Sequence, residues 1–448
     1  MGDPLVSSGR RFVLPIPTVW FALLVGVTGV LLFAWPGRSW WALVAVESVV
    51  LAVFVADVVV CTGPAHIDVT RQAPAVVTVG ETADIGWTVT NTARTSSRVT
   101  VADALWPSFG ARRRRLSLRL RAGGRSVVRT RITPSRRGRF PLDEVTVRVV
   151  GPLRMAAKQA GRSVPGSIRV MPAYPSREAI ERRLRSPRVL EGLRTVRRVG
   201  AGAEFDQLRD YVPDDEFRRV DWAATLRLQR PIVKQYRAER NQNVVLLLDN
   251  GRVMAGTVAG VPRVEHAMDA ALAITQAAAR LDDRVGLLAF DRQVRSIVVP
   301  NNSRAQLGRV AEAMYLLQPE LTESAYDVAF SAAAARFRRR SLYVVLTDLA
   351  EATVEQAVLP ALPILTRRHV VLIGSVQDPT VATWARGGRH AWPSEAFREA
   401  AAVSARHRRA QAAARMRGAG AMVVDAVPGA LGVELVDTYL ALKASGRL

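Results

Sequence analysis

Two groups of residues in this 448-residue chain have the types and spacing to do chemistry. The first is a pair of aspartates that each close an apolar run: "VVLLLD" ends on Asp249 and "LYVVLTD" ends on Asp348. Two carboxylates at the ends of buried strands can ligate a hard divalent cation, which takes oxygen donors in near-octahedral array. The second group is "GAEFDQLRDYVPDDEFRRVDW", Gly202–Trp222, which crowds acids, arginines and aromatics together with no helical or strand period. Arg209, Arg218 and Arg219 stand close to Glu204, Asp214, Asp215 and Asp221, so internal ion pairs are readily made. Interleaved aromatics would shield them, and removing one partner of a buried pair costs about 3–5 kcal/mol. The stretch reads first as a structural clamp that buries Trp222, second as a partner-docking surface, and last as a catalytic loop.

Other chemistry finds no support in the residues. One cysteine, Cys61, excludes an internal disulfide framework and any multi-cysteine metal site. The five histidines (His66, His266, His369, His390, His407) lie far apart, with no HExxH spacing. No GxxxxGK[ST], GxSxG or GxGxxG is present. No nucleophile–base pair can be named, so the expectation is a protein that is not an enzyme and needs no cofactor. The 63 Lys+Arg against 39 Asp+Glu give a net charge of +24, which attracts anionic lipid or nucleic acid or reflects the arginine- and alanine-heavy composition of a GC-rich genome. No helix-turn-helix, stacking platform or zinc module accompanies the charge, which argues against nucleic acid.

The elements that must hold these residues begin with a membrane hairpin. Val19–Trp35 carries no charge, and Trp40–Val60 carries only Glu47 and Asp57. Each can cross roughly 30 Å of hydrocarbon at about 1.5 Å per residue. "PGRS" between them is a tight reversal, and Trp20, Trp35, Trp40 and Trp41 sit at interfacial positions. No A-x-A-like cleavage site follows, which argues against a signal peptide. Glu47 is expected to face the partner helix or an oligomer contact, while Asp57 reaches the interface with no special role. Arg10 and Arg11 against Arg38 place both ends in the cytoplasm. A period of two then runs from about 65 to 150, as in "DIGWTVTN" and "EVTVRVV", and predicts a small antiparallel β-sandwich. From 243 onward, apolar runs at Val244–Leu248, Val285–Phe290, Leu342–Leu346 and Val370–Ile373 alternate with helical stretches. That pattern predicts a doubly wound parallel sheet. The domain reading is 1–62 for the tail and hairpin (spans about 19–35 and 40–60), 63–172 for the β domain, 173–242 for a connector with the charged stretch, and 243–448 for the α/β domain.

Strands ending in Asp249 and Asp348 give this last domain a resemblance to the von Willebrand factor A fold, whose metal-ion-dependent adhesion site opens with D-x-S-x-S. Here those positions hold Asp249, Gly251 and Val253, so both hydroxyls are missing. The resemblance also calls for a later Thr and a further Asp, for which "LTESAYD" offers Thr322 and Ser324; what is left is a degenerate set, Asp249, Thr322 and Asp348, at which Mg²⁺ is the one ion to weigh. The charged stretch resembles the signature of the bacterial family called domain of unknown function 58. Glu204, Phe205, Leu208, Arg209, Tyr211, Asp214, Arg218, Asp221, Trp222, Arg227 and Glu239 match it, while Pro213 and Leu226 replace its usual Gly and Ala. "TPSRRGRF" followed by "GPL" fits as well. The resemblance implies a Rossmann-like von Willebrand A-type domain anchored in the bacterial cell membrane. It also implies a MoxR-type AAA+ ATPase as partner in assembling or maturing other proteins, and no enzymatic activity. A metal-dependent adhesion module is the alternative.

Overall fold

Residues of period two build three sheets in the first of two units, Met1–Met171. The computed structural model describes residues 14–34, 40–186, 204–213, 215, 217, 220–237, 242–388 and 392–448. The strands are β1 (Leu14–Pro17), β2 (Ile67–Gln72), β3 (Val76–Thr78), β4 (Ala83–Asn91), β5 (Ser97–Asp103), β6 (Arg115–Leu120), β7 (Arg125–Ile132), β8 (Gly138–Pro141), β9 (Glu144–Val150), β10 (Ala156–Ser163) and β11 (Ser167–Met171). They pair in the orders β1-β10-β9-β5-β6, β2-β4-β7 and β3-β11-β8, antiparallel except for β3 with β11. Alternation sends Ile85, Trp87 and Val89 of β4 and Val145, Val147 and Val149 of β9 into one shared core. A buried ion pair pins that core. Arg71 Nε donates to Asp103 Oδ2 at 2.8 Å, and the Trp87 indole N–H donates to the same oxygen at 2.7 Å.

Two apolar helices, α1 (Val19–Ala34) and α2 (Trp40–Val60), belong to this unit. The Thr28 hydroxyl donates to Glu47 Oε1 at 2.9 Å, and the Phe21 and Phe54 rings lie 4.6 Å apart, two contacts that keep one antiparallel register. Glu47 therefore meets its polar partner on the neighbouring helix. The segment Trp40–His66 is long and apolar enough to cross a membrane, whereas Val19–Phe33 is apolar but shorter.

Two features depart from the sequence reading. Leu14–Pro17, expected to be tail, is a strand paired with Ala156–Gln159 of β10. Asp57, expected at an interface with no role, is buried and accepts backbone N–H from Leu153 (2.9 Å), Met155 (2.9 Å) and Ala156 (2.8 Å). A Cβ on Gly151 would land on that carboxylate, so the glycine that opens "GPL" is there for close approach. The end of α2 is thereby fastened to the start of β10.

The second unit, Pro172–Leu448, is mixed α/β. A hairpin of β12 (Glu204–Asp210) and β13 (Ile232–Arg237) precedes a six-stranded sheet. The remaining strands are β14 (Asn243–Asp249), a small β15 (Thr257–Val258) and β16 (Val261–Pro262) pair, β17 (Arg284–Phe290), β18 (Val294–Asn301), β19 (Ser341–Leu346), β20 (Val370–Val376) and β21 (Met422–Ala426). The sheet order is β18-β17-β14-β19-β20-β21, parallel but for the edge strand β18. Every residue from Val244 to Leu248 is fully buried. Val244, Leu246 and Leu248 pack on one face, with the helices Arg263–Arg280 and Leu431–Ala444, while Val245 and Leu247 pack on the other, with the helix Tyr326–Arg336. The strand order reverses between β14 and β19, and in open α/β sheets ligands bind outside the carboxyl ends at such a switch point. Asp249 and Asp348 stand at those two strand ends.

Candidate functional site

The switch point is closed by its own side chains. Asp249 is completely buried and accepts four hydrogen bonds: from Ser324 Oγ (2.5 Å) and Gly251 N (2.9 Å) on Oδ1, and from Tyr326 OH (2.6 Å) and Thr347 Oγ1 (2.7 Å) on Oδ2. Burial raises the Asp249 pKa above its ordinary value, and these donors oppose the rise. Burial and the adjacent carboxylate likewise push the Tyr326 phenol well above 10. The missing side chain at Gly251 is explained by Ser324. A Cβ there would fall on the Ser324 hydroxyl and 2.9 Å from the Thr322 carbonyl oxygen. A hydroxyl delivered from a loop 73 residues later thus takes the space of the serine that an open metal site would carry.

Asp348 is satisfied by a cation of the protein. Arg409, on the long helix Pro393–Gly418, donates from Nη1 to Asp348 Oδ1 at 2.8 Å. It also donates to Asp425 from Nε (2.8 Å) and Nη2 (2.7 Å), and from Nη2 to Ser375 Oγ (2.6 Å) and the Val376 carbonyl (2.8 Å). Burial alone would lower the Arg409 pKa, but Asp425 and Asp348 outweigh it and raise the value. Arg263 Nε lies 3.6 Å from Asp348 Oδ1. Thr322 lies nearby through its carbonyl, which accepts from Arg252 N, while its buried hydroxyl has no hydrogen-bond partner. Of the candidate metal set, Asp249 has both carboxylate oxygens hydrogen-bonded within the protein, and Asp348 accepts from Arg409 and Ser375 through Oδ1. Among the described residues no group of three or more His, Cys, Asp and Glu could hold a metal ion. The contact from Arg409 was not legible in the sequence, because Arg409 stands 61 residues beyond Asp348. The same arginine floors a cavity of about 660 Å³ at the ends of β20 and β21, rimmed by Arg406, Arg408, Asp378 and Glu351.

The charged signature stretch is open where the switch point is closed. Only the backbone of Glu204 and Phe205 is described, in β12, and Asp214, Arg218, Arg219 and Glu239 lie outside the described residues. Arg209 forms a fork with Asp215, Nη1 to Oδ2 at 2.7 Å and Nη2 to Oδ1 at 2.5 Å, and this hydrogen bonding raises the arginine's pKa. Asp215 Oδ2 also accepts from Val212 N. Tyr211 is half-buried, with its N–H on the Pro231 carbonyl. Asp221 caps the short helix Trp222–Leu228, accepting from Ala224 N at 3.0 Å, and lies 3.3 Å from Lys234 Nζ. The cap and then the lysine lower its pKa. Among the described residues its cationic partner is Lys234. Trp222, expected to be buried, is 57% exposed and lies 5.6 Å from the ring of Phe217, itself 68% exposed. Leu208, Leu226, Arg227 and Leu228 are exposed as well.

Comparison with known proteins agrees with the signature. The chain is 28% identical over 182 residues to uncharacterized proteins of Mycobacterium tuberculosis and Mycobacterium bovis, covering 40% of this chain and 56% of theirs. The chain therefore spans little more than half the length of those relatives. Among solved structures, a CARDB domain from Pyrococcus furiosus matches at 15% identity over 23% of this chain and 94% of that chain, with a TM-score of 0.16. A PapD-like domain of human CEP192 matches at 16% identity over 25% and 91%, with a TM-score of 0.19. The model of the protein family of unknown function DUF58 matches residues 207–415, from the signature hairpin through most of the long helix.

Proposed function

We propose that this protein is a membrane-anchored adaptor that recognises another protein and is not an enzyme. The observation that carries the reading is the exposed aromatic face of the signature hairpin, where the Phe217 and Trp222 rings meet at a tilt of 60° and both are open to solvent. Large aromatics exposed together beside a capped helix start are what protein-docking anchors are made of. The closed switch point argues the same way, because the carboxylates that could do chemistry are consumed by internal donors. The von Willebrand A-like reading of the domain is supported by the strand order β18-β17-β14-β19-β20-β21 with its antiparallel edge. The two-span hairpin is supported by the antiparallel pairing of α1 and α2 through Thr28–Glu47. On this reading the soluble units face the cytoplasm of a bacterial cell and the partner is a MoxR-type AAA+ ATPase. Metal-dependent adhesion would need Asp249 to give up four hydrogen bonds. Co-purification from detergent-solubilised membranes, with and without ATP, tests the reading: recovery of an AAA+ ATPase is expected, and repeated recovery without one contradicts it.

A further inference from the structure

The turn between β9 and β10, residues 151–155, leaves no backbone N–H for water. Pro152 has none to offer. The Gly151 N–H donates to the Ala156 carbonyl (2.9 Å) and the Arg154 N–H to the Gly151 carbonyl (3.0 Å), while those of Leu153, Met155 and Ala156 donate to the Asp57 carboxylate. The Arg154 and Met155 carbonyls accept from the hydroxyl and the N–H of Thr18, at the start of α1. A surface turn in water needs no such closure, since solvent meets its polar groups. The side chains are the reverse of the backbone. Leu153 is 56% exposed, and the exposed Arg154 has no ion pair among the described residues. Arg154 also holds a φ of 62°, where glycine is the unstrained residue, so its side chain is kept against the preference of the backbone.

Asp57 fixes the depth of this turn. It stands seven residues past Val50, the midpoint of α2, and so about 10 Å from the centre of a bilayer crossed by that helix. Hydrocarbon reaches roughly 15 Å to each side of the centre. A turn with three N–H groups on that carboxylate lies inside the hydrocarbon boundary, where an unbonded N–H or an unmet carboxylate is costly. Beside it, Trp20, Leu23 and Val27 of α1 join Leu153 and Arg154 around a recess of about 420 Å³, apolar but for that one cation. We infer that the turn is inserted in the membrane interface as a phospholipid site. Leu153 stands among the acyl chains, one chain lies in the recess, and Arg154 reaches outward to the lipid phosphate. The inference rests on the membrane anchoring proposed above and not on the ATPase.

The test is spin-label depth measurement on the full-length chain in liposomes of phosphatidylcholine and phosphatidylglycerol. One sample carries the label on Leu153→Cys and another on Leu51→Cys, in the middle of α2; the native Cys61 is buried, and the unsubstituted chain gives the background. Both labels should collide more with oxygen than with a water-soluble nickel chelate, and the label at position 153 should lie about 5–10 Å below the phosphates. Adding Arg154→Glu, which sets a carboxylate against those phosphates, should move it towards water. A label at 51 in hydrocarbon with the label at 153 in water overturns the inference and leaves the anchoring intact. Both labels in water end both. A label at 153 shielded from oxygen and chelate alike also overturns it, because that face would then meet protein. A depth unmoved by Arg154→Glu overturns the phosphate contact.

Discussion

The carboxyl ends of β14 and β19 and the hairpin of β12 and β13 carry the two clusters that looked able to do chemistry, and their environments are opposite. At the strand ends, Asp249 is wholly buried and meets four donors, and Asp348 meets Arg409. On the hairpin, Trp222 and Phe217 share a contact with each other and otherwise stand open. The residue types invite the reverse assignment, carboxylates for reaction and aromatics for packing. Burial decides between them, because a group with all its valences filled inside the protein holds structure, whereas an ordered apolar group in water is available to a partner.

Substitutions should separate the two regions by size of effect. The largest loss is expected from Arg409→Ala, which strands Asp348 and Asp425 at a mostly buried site; about 3–5 kcal/mol of the domain's stability should go, read as a fall in melting temperature. A near-neutral result would mean that the cluster is solvated. Asp249→Ala comes next, at about 3 kcal/mol, because buried hydroxyls lose their acceptor. Excess Mg²⁺ should leave the wild-type melt unchanged, and a clear rise would reopen the metal reading.

Gly251→Ser restores the residue type of an open metal site but drives it into Ser324, so it should cost about 1–3 kcal/mol by overpacking. Adding Ser324→Gly should recover much of that loss, since the two side chains compete for one space. The pH dependence sharpens the same point. With its native pKa raised by burial, Asp249 contributes fully below the unfolded carboxylate pKa, and that contribution fades as pH rises through the native value. Across that window the wild type should lose melting temperature relative to Asp249→Asn as pH rises. A gain would indicate a depressed pKa, as a metal-held carboxylate has. The smallest effect belongs to Trp222→Ala, within about 0.5 kcal/mol as for other surface changes.

Much of the framework was legible in the residues, because it rests on local period. The apolar run Val244–Leu248 is buried on both faces of its strand, "DIGWTVTN" lies in β4, and "EAFREAAAVSARHRRAQAAARMRG" lies in the long helix. The strand Leu14–Pro17 was not legible, since two prolines in four residues hide it and only pairing with β10 makes it. The site was legible only as a set of residue types. Asp249 and Asp348 could be named from the strand ends, but Ser324 and Arg409 reach them through the fold, across loops and helices that no local pattern records. Asp57 shows the same limit: its three N–H donors lie on the turn before β10 and on the first residue of that strand, almost a hundred residues away, and a carboxylate at the end of an apolar helix gives no sign of them. Trp222 was misjudged for the opposite reason, because an aromatic among charges reads as packing until its exposure is seen.

The central claim is that the open hairpin face, and not the closed strand ends, does the protein's work. The most direct measurement is capture of the AAA+ ATPase from detergent-solubilised membranes by wild type and by the Phe217→Ala/Trp222→Ala double variant, with thermal melting recorded on both. The account predicts that the double variant melts like wild type and loses the ATPase. Undiminished capture by a normally melting variant would contradict it, and so would a collapse of the melt, which would return the aromatics to a structural role.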